Sequence, residues 1–191
     1  MKALEEKIRR EGKVINEDIL KVGSFLNQQI DVGFLMEMGR EAAGLFEGEG
    51  VTKVLTVEAS GIAFAVAIAA AMGVPAIFAK KHETSNLSGD QLTAKVYSFT
   101  HEQYYDIVVP RDYISPGDVV LLADDFLARG QALNGLRSIV AAAGARCAGA
   151  VVEVEKSFQS GGEILRNDGL RIEALAKVRR LDPVTKEIEF D

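Results

Sequence analysis

The chain has no tryptophan, one cysteine and four prolines, and it shows no internal repeat, low-complexity tract or Pro/Gly/Ser linker. A lone Cys147 cannot close an internal disulfide, and it lies in an apolar run that reads as a buried strand, so a reducing, cytoplasmic compartment fits. Long apolar runs are missing too. The most apolar segment, Gly61 to Met72, falls well short of the about 20 residues that cross a bilayer. Met1 to Gly12 is charged and helix-like, without the apolar stretch or cleavage site of a secretory signal. There is no cationic excess either: a formal charge of -6 disfavours nucleic acid and anionic membrane as partners, since both select a basic surface.

Several catalytic signatures are also absent. The sequence contains no Walker A loop, no GxGxxG after a strand, no GxSxG elbow and no HExxH helix. His82-Glu83 and His101-Glu102 each lack the second histidine of a zinc site, and both histidines read as surface or loop residues.

What remains is a globular composition, 48% hydrophobic and 26% charged over 191 residues, sufficient for one substantial core and read as one domain over 1–191. Leu4 and Ile8 mark a short amphipathic helix ending near Gly12, and Val14 to Leu20 is less regular. Asp31 is placed to cap a helix whose Leu35, Met38, Ala42, Leu45 and Phe46 share a face, with glycines 48 and 50 stopping it. Lys53 to Val57, Ile62 to Met72 and Val74 to Ala79 then read as a βαβ unit. Its helix is apolar nearly all round, as expected where one face lies on a sheet and the other meets more protein, in this chain or a second subunit.

Lys81 to Thr93 is polar and reads as a long mobile loop, followed by a hairpin or two flanking strands at Ala94 to Phe99 and Tyr105 to Val109. A turn at Ser115 to Asp118 leads into a buried strand, Val119 to Ala123. Leu133, Leu136, Val140 and Ala143 mark the next helix, ended by Gly144. Ala148 to Val154 and Arg171 to Leu175 complete the strands. Short apolar strands separated by helices imply an α/β fold with a doubly wound, mostly parallel sheet, binding ligands at the carboxyl ends of its strands.

The most informative stretch is Leu121 to Ala132, LLADDFLARGQA. A buried strand leads to two carboxylates, then to a short loop with Gly130 that opens a helix. Unpaired N–H groups and the positive end of the helix dipole suit a phosphate there, and Gly130 lets the main chain approach it. Asp124 and Asp125, acceptor-only when ionised, suit a pair of ribose hydroxyls. Alone, an acidic pair before a glycine reads as a polar strand end and a turn; the order of the parts points to a sugar phosphate.

This segment resembles the phosphoribosyl diphosphate signature of the type I phosphoribosyltransferases. The form DDFLA-x-GQA, the stretch Ile19 to Ile30 (ILKVGSFLNQQI) and Glu155-Lys156-Ser157-Phe158-Gln159 are similar to the family's bacterial branch that uses xanthine, over nearly the whole chain. The resemblance implies transfer of a phosphoribosyl group to xanthine with release of pyrophosphate, in purine salvage, by a homodimer. It implies an amino-terminal hood, residues 1–30, whose Leu20 and Asn27 line the purine pocket, and it sets Lys156 at the base edge. Asp124 and Asp125 become the catalytic pair. Ala128, Arg129, Gly130, Gln131 and Ala132 become the cradle for the 5′-phosphate.

Where this chain has Arg129 the family has asparagine, and the added cation either reaches the phosphate or points into water. On the pyrophosphate side the resemblance sets Glu58, Ala59, Ser60 and Gly61, with Lys80 and Lys81. Magnesium is expected to arrive mainly on the diphosphate, without an all-protein metal site. The loop His82 to Thr93 is expected to close over the substrates. Two other outcomes stay open: a sensor of purines or phosphoribosyl diphosphate on the same fold, for which the chain lacks an added DNA-binding domain, and a relative preferring guanine or hypoxanthine.

Overall fold

A computed structural model of the chain describes residues 1–82, 90–98 and 103–191. At the amino end, helix α1 (Lys2–Glu11) buries Leu4 and Ile8, with Glu5 in its first turn and Arg9 and Arg10 in its last, the arrangement a helix dipole favours. A short antiparallel pair, β1 (Lys13–Val14) and β2 (Leu20–Lys21), and a π-helical turn over Gly23–Asn27 complete the segment expected to form the hood.

Helix α2 (Val32–Leu45) starts as expected: the Asp31 carboxylate accepts from the Phe34 N–H at 3.1 Å. Leu35, Met38, Ala42 and Phe46 are buried, whereas Leu45, grouped with them by spacing, ends the helix 37% exposed. Strand β3 (Lys53–Val57) matches its expected bounds, and α3 (Gly61–Met72) follows it. Much of the further protein that covers apolar α3 is α2. Their backbones approach so closely at Gly39 that a Cβ there would lie 2.6 Å from the carbonyl carbon of Ala67.

The expected long loop is shorter than its polarity suggested. Strand β4 (Ala76–His82) includes Lys81 and His82, and β5 (Gln91–Ser98) takes up Leu92 and Thr93. Pairing explains the difference. Strand β6 (Gln103–Pro110) sets Lys81 opposite Ile107 on one side and Leu92 opposite Val109 on the other, so ladder hydrogen bonds recruit residues whose side chains look loop-like. Residues 83–89 of the expected lid, along with Phe99 and His101, lie outside the described residues.

Strand β7 (Val119–Leu127), helix α4 (Gln131–Ala142), strand β8 (Arg146–Lys156), helix α5 (Gly161–Asn167) and strands β9 (Ile172–Leu181) and β10 (Ile188–Phe190) complete the order. The eight-stranded sheet runs β10-β9-β8-β7-β3-β4-β6-β5. Its five central strands are parallel, and antiparallel pairings occur only at the two edges. That is the doubly wound, mostly parallel sheet expected.

One core layer, holding Met38, Phe64 and Leu121, lies between the sheet and α1 to α3; the other, holding Leu122, Leu136 and Ile139, lies between the sheet and α4. The β5–β6 hairpin packs on α4, where a Cβ at Gly135 would meet Val96 at 2.6 Å. Cys147, expected to be buried, is half-buried in β8.

The α2–α3 contact yields a direct test. Gly39→Ala forces a methyl into backbone rather than into a movable side chain, and should destabilise the protein by about 1–3 kcal/mol, read as a lower urea midpoint with unchanged slope.

Candidate active site

Parallel strands deliver their carboxyl ends to one edge of the sheet, and there β7 runs further than its apolar segment. The sequence reading ended the strand at Ala123 and set Asp124 and Asp125 just beyond it, before the loop. Instead both are strand residues, because β8 continues the ladder: Asp124 stands opposite Val152 and Leu127 opposite Glu155. The carboxylates are therefore fixed by two backbones.

Asp124 is buried, 6% exposed, and its Oδ1 accepts from the Asp125 N–H at 3.0 Å. Burial first, then the Asp125 charge, raises its pKa well above the ordinary carboxylate value, against a smaller opposing pull from Lys81. Asp125 is half-buried, and its Oδ2 accepts from Asn27 Nδ2 at 2.9 Å. Asn27 thus ties the amino-terminal segment to the acidic pair.

The loop after β7 is braced from behind. Gly130 is left-handed (φ 76°) and directly precedes α4. A Cβ at Gly161, the first residue of α5, would lie 2.4 Å from the Ala128 carbonyl oxygen, and one at Gly130 would lie 2.8 Å from Leu165 Cδ1. Helix α5 is held in turn by Arg166, which donates to both oxygens of buried Glu155 at 2.6 Å each. Sequence reading missed α5, since seven residues give too little periodicity to recognise.

In front of the loop lies a cavity of about 550 Å³. Its floor comprises Ala128 to Leu133 with Asp124 and Phe126; Lys81, Tyr97 and Tyr105 stand on one side, and Ile19, Lys156 and Gln159 on the other. Arg129 also lines it. Half-buried Lys156 donates from Nζ to the Asp18 carbonyl at 2.6 Å and lies 5.5 Å from the centre of the Phe126 ring. Burial lowers its pKa, with the Asp18 and Asp125 charges opposing. Gln159 Nε2 donates to Asp18 Oδ1 at 3.2 Å, so the turn at Asp18 is fastened twice to the segment after β8.

Two expected placements differ. Leu20 is a core residue, 7% exposed and packed in the layer that holds Leu4 and Ile8, whereas its neighbour Ile19, 44% exposed, lines the cavity. Lys80 and Lys81 separate as well, because adjacent strand residues face opposite ways. Lys81 faces the cavity with Asp124; Lys80 lines a separate, largely apolar cleft of about 580 Å³, with Phe78, Val108 and Tyr113.

The segment Glu58 to Gly61 lies against Asp124 without lining the cavity itself. The Glu58–Ala59 peptide is cis, and Glu58 Oε1 accepts from the Lys81 N–H at 2.7 Å. Ala59 and Ser60 are exposed at the start of α3. A Cβ at Gly61 would lie 2.2 Å from Thr56 Oγ1 and 3.2 Å from Asp124 Oδ1, so only glycine lets this turn settle against the acidic pair.

Sequence reading also missed Tyr105 and Glu153. The Tyr105 phenol is raised by burial and then by the Asp124 charge, so it stays protonated. Glu153, in β8 and 3% exposed, was counted as one residue of a buried strand; burial, then the charges of Asp125 and Asp124, raise it well above its ordinary value.

Comparison with known proteins follows this geometry. Residues 27–161 match the model of the phosphoribosyl transferase domain. A xanthine phosphoribosyltransferase of Heliobacterium modesticaldum is 50% identical over 183 residues, 96% of this chain and 97% of its own length. One from Moorella thermoacetica is 49% identical over 187 residues, 98% of this chain and 94% of its own. The fold is shared with APRTase from Giardia lamblia, solved with 9-deazaadenine, at a TM-score of 0.75 and 20% identity, covering 91% of this chain and 97% of that one. Adenine phosphoribosyltransferase from Thermoanaerobacter pseudethanolicus gives a TM-score of 0.73 at 22% identity, covering 91% of this chain and 99% of that one.

The raised Glu153 carboxyl predicts a pH signature. The folded chain keeps a proton that the unfolded chain releases once pH passes the ordinary value of 4.5, so each further rise favours unfolding until Glu153 ionises in the fold. Glu153→Gln removes that penalty. Its stability relative to wild type should grow as pH rises above about 5 in urea titrations, and a gap that stays constant would contradict the shift.

Proposed function

This chain belongs to the phosphoribosyl transferase domain family, and from that membership we propose that it transfers the 5-phosphoribosyl group of phosphoribosyl diphosphate to xanthine, forming xanthosine 5′-monophosphate and pyrophosphate. One observation carries the choice of base: Lys156 ends β8 as a half-buried cation in the same cavity as the braced loop and Asp124. Relatives about half identical over nearly their whole length, named for xanthine, support it.

In this reading the 5′-phosphate takes the N–H groups of the Ala128 to Ala132 loop, where the start of α4 adds the first N–H groups of a helix and the positive end of its dipole. Asp125 and Asp124 accept from the two ribose hydroxyls. Those hydroxyls replace the hydrogen bonds that burial denies Asp124 and favour its charged form. Negative charge beneath the sugar then stabilises the cationic character that develops at the anomeric carbon as its bond to pyrophosphate stretches. The departing diphosphate lies between Lys81 and the amides of Ala59 to Gly61.

Magnesium, arriving on the diphosphate and ribose oxygens, would neutralise the leaving group, since this ion favours phosphate oxygens and keeps several waters. Among the described residues no three His, Cys, Asp or Glu side chains converge on a metal position, and the hard carboxylate oxygens of Asp124 and Asp125 suit an ion brought by the substrate.

At the far end of the cavity Lys156 selects the base. Xanthine offers an acceptor oxygen at C2, which an ammonium satisfies; guanine offers an amine there, leaving donor against donor. Ile19 closes over this end from the amino-terminal segment, which Asn27 ties to Asp125. We read the protein as cytoplasmic, on its single unpaired cysteine, with no described helix long and apolar enough to cross a membrane. We read it as a homodimer, on the cleft around Phe78 and Tyr113, 41% and 57% exposed, on the far side of β4.

With phosphoribosyl diphosphate and magnesium, xanthine should be converted faster than guanine or hypoxanthine, measured as nucleotide formed from each base in parallel. Lys156→Met should cut kcat/KM for xanthine by roughly ten- to hundredfold and narrow the preference over guanine. Binding of these ligands without turnover of any base would favour a sensor instead. Asp125→Asn should lower kcat by about a hundredfold or more in the same assay.

A further inference from the structure

Lys81 presents a question of geometry. A flexible lysine beside the Asp124 carboxylate gains most by folding onto it, which would remove both partners from a substrate. It does not do so. Its ammonium lies 5.5 Å from the centre of the Tyr105 ring, within cation–π range, and it makes no ion pair with a described carboxylate. The sheet sets up this contact. Lys81 stands opposite Ile107, so Tyr105, two residues earlier on β6, is its diagonal neighbour on the same face.

The ring is itself fixed. Tyr105 is half-buried, paired with Val96 across the β5–β6 ladder, and lines the cavity together with Lys81 and Asp124. The main chain of Lys81 is fixed as well, by its bond to Glu58. Only the four-carbon stem between remains free to turn, and the aromatic face is what its head group meets.

We infer that Tyr105 is a positioning residue: its ring holds the Lys81 ammonium upright at the diphosphate end of the cavity and keeps it from collapsing onto Asp124. The hydroxyl has no part in this. The inference rests on the phosphoribosyl-transfer reading above, because it assigns Lys81 to the diphosphate.

The test is a double-mutant cycle with both substrates varied. Tyr105→Phe keeps the ring and should retain the wild-type KM for phosphoribosyl diphosphate. Tyr105→Leu should raise KM for phosphoribosyl diphosphate roughly two- to fivefold, the range for a partly exposed cation–π contact, with kcat and KM for xanthine unchanged. In a Lys81→Met background the same leucine substitution should have no effect. The inference is overturned if Tyr105→Phe is as impaired as Tyr105→Leu, if Tyr105→Leu is silent, or if its effect persists without Lys81. Wild-type protein inactive with every base would sink the transfer reading itself, an outcome distinct from all three.

Discussion

The site depends on β8 pairing with β7 past the end of its apolar segment. That ladder carries Asp124 and Asp125 inside the sheet instead of leaving them on a loop, and the surrounding structure answers the consequence. A carboxylate buried in a strand loses water and meets its neighbour's charge, so its pKa is raised well above the ordinary carboxylate value. Gly61 makes room for it, Lys81 offsets part of its charge, and Asn27 takes the one oxygen of the pair that points to the amino-terminal segment.

The fold around this arrangement was legible wherever side-chain pattern alone decides. Asp31 announced its helix, Lys53 to Val57 its strand, and the apolar α3 its two covered faces. LLADDFLARGQA reads as strand, carboxylates, loop and helix in that order, and Asp124 and residues 126 to 132 do gather around one cavity. What the sequence concealed was direction. Lys80 and Lys81 look like a pair, yet in a strand consecutive side chains part company, and which of them faces the cavity follows from the register with β6. Leu20 and Ile19 exchange places for the same reason at the other end of the pocket.

Pairing also overrode composition. The polar run after Lys81 looks like a loop because Gln, Thr and Lys face solvent on the hairpin, while Leu92, Ala94 and Val96 alternate inward too sparsely to stand out. Tyr105 and Glu153 were hidden differently. Each is unremarkable in its own strand, and each gains meaning only from the neighbouring strand that sets a lysine or a carboxylate beside it.

The glycine contact between the loop and α5 bears on what ligand capture costs. Because Gly130 and Gly161 meet with no side chain between them, and the Glu155–Arg166 fork pins the helix behind, the amides of Ala128 to Ala132 are oriented when the chain folds. On the proposed reading, an incoming phosphate would find its donors preorganised, with little of its binding free energy spent on ordering the protein.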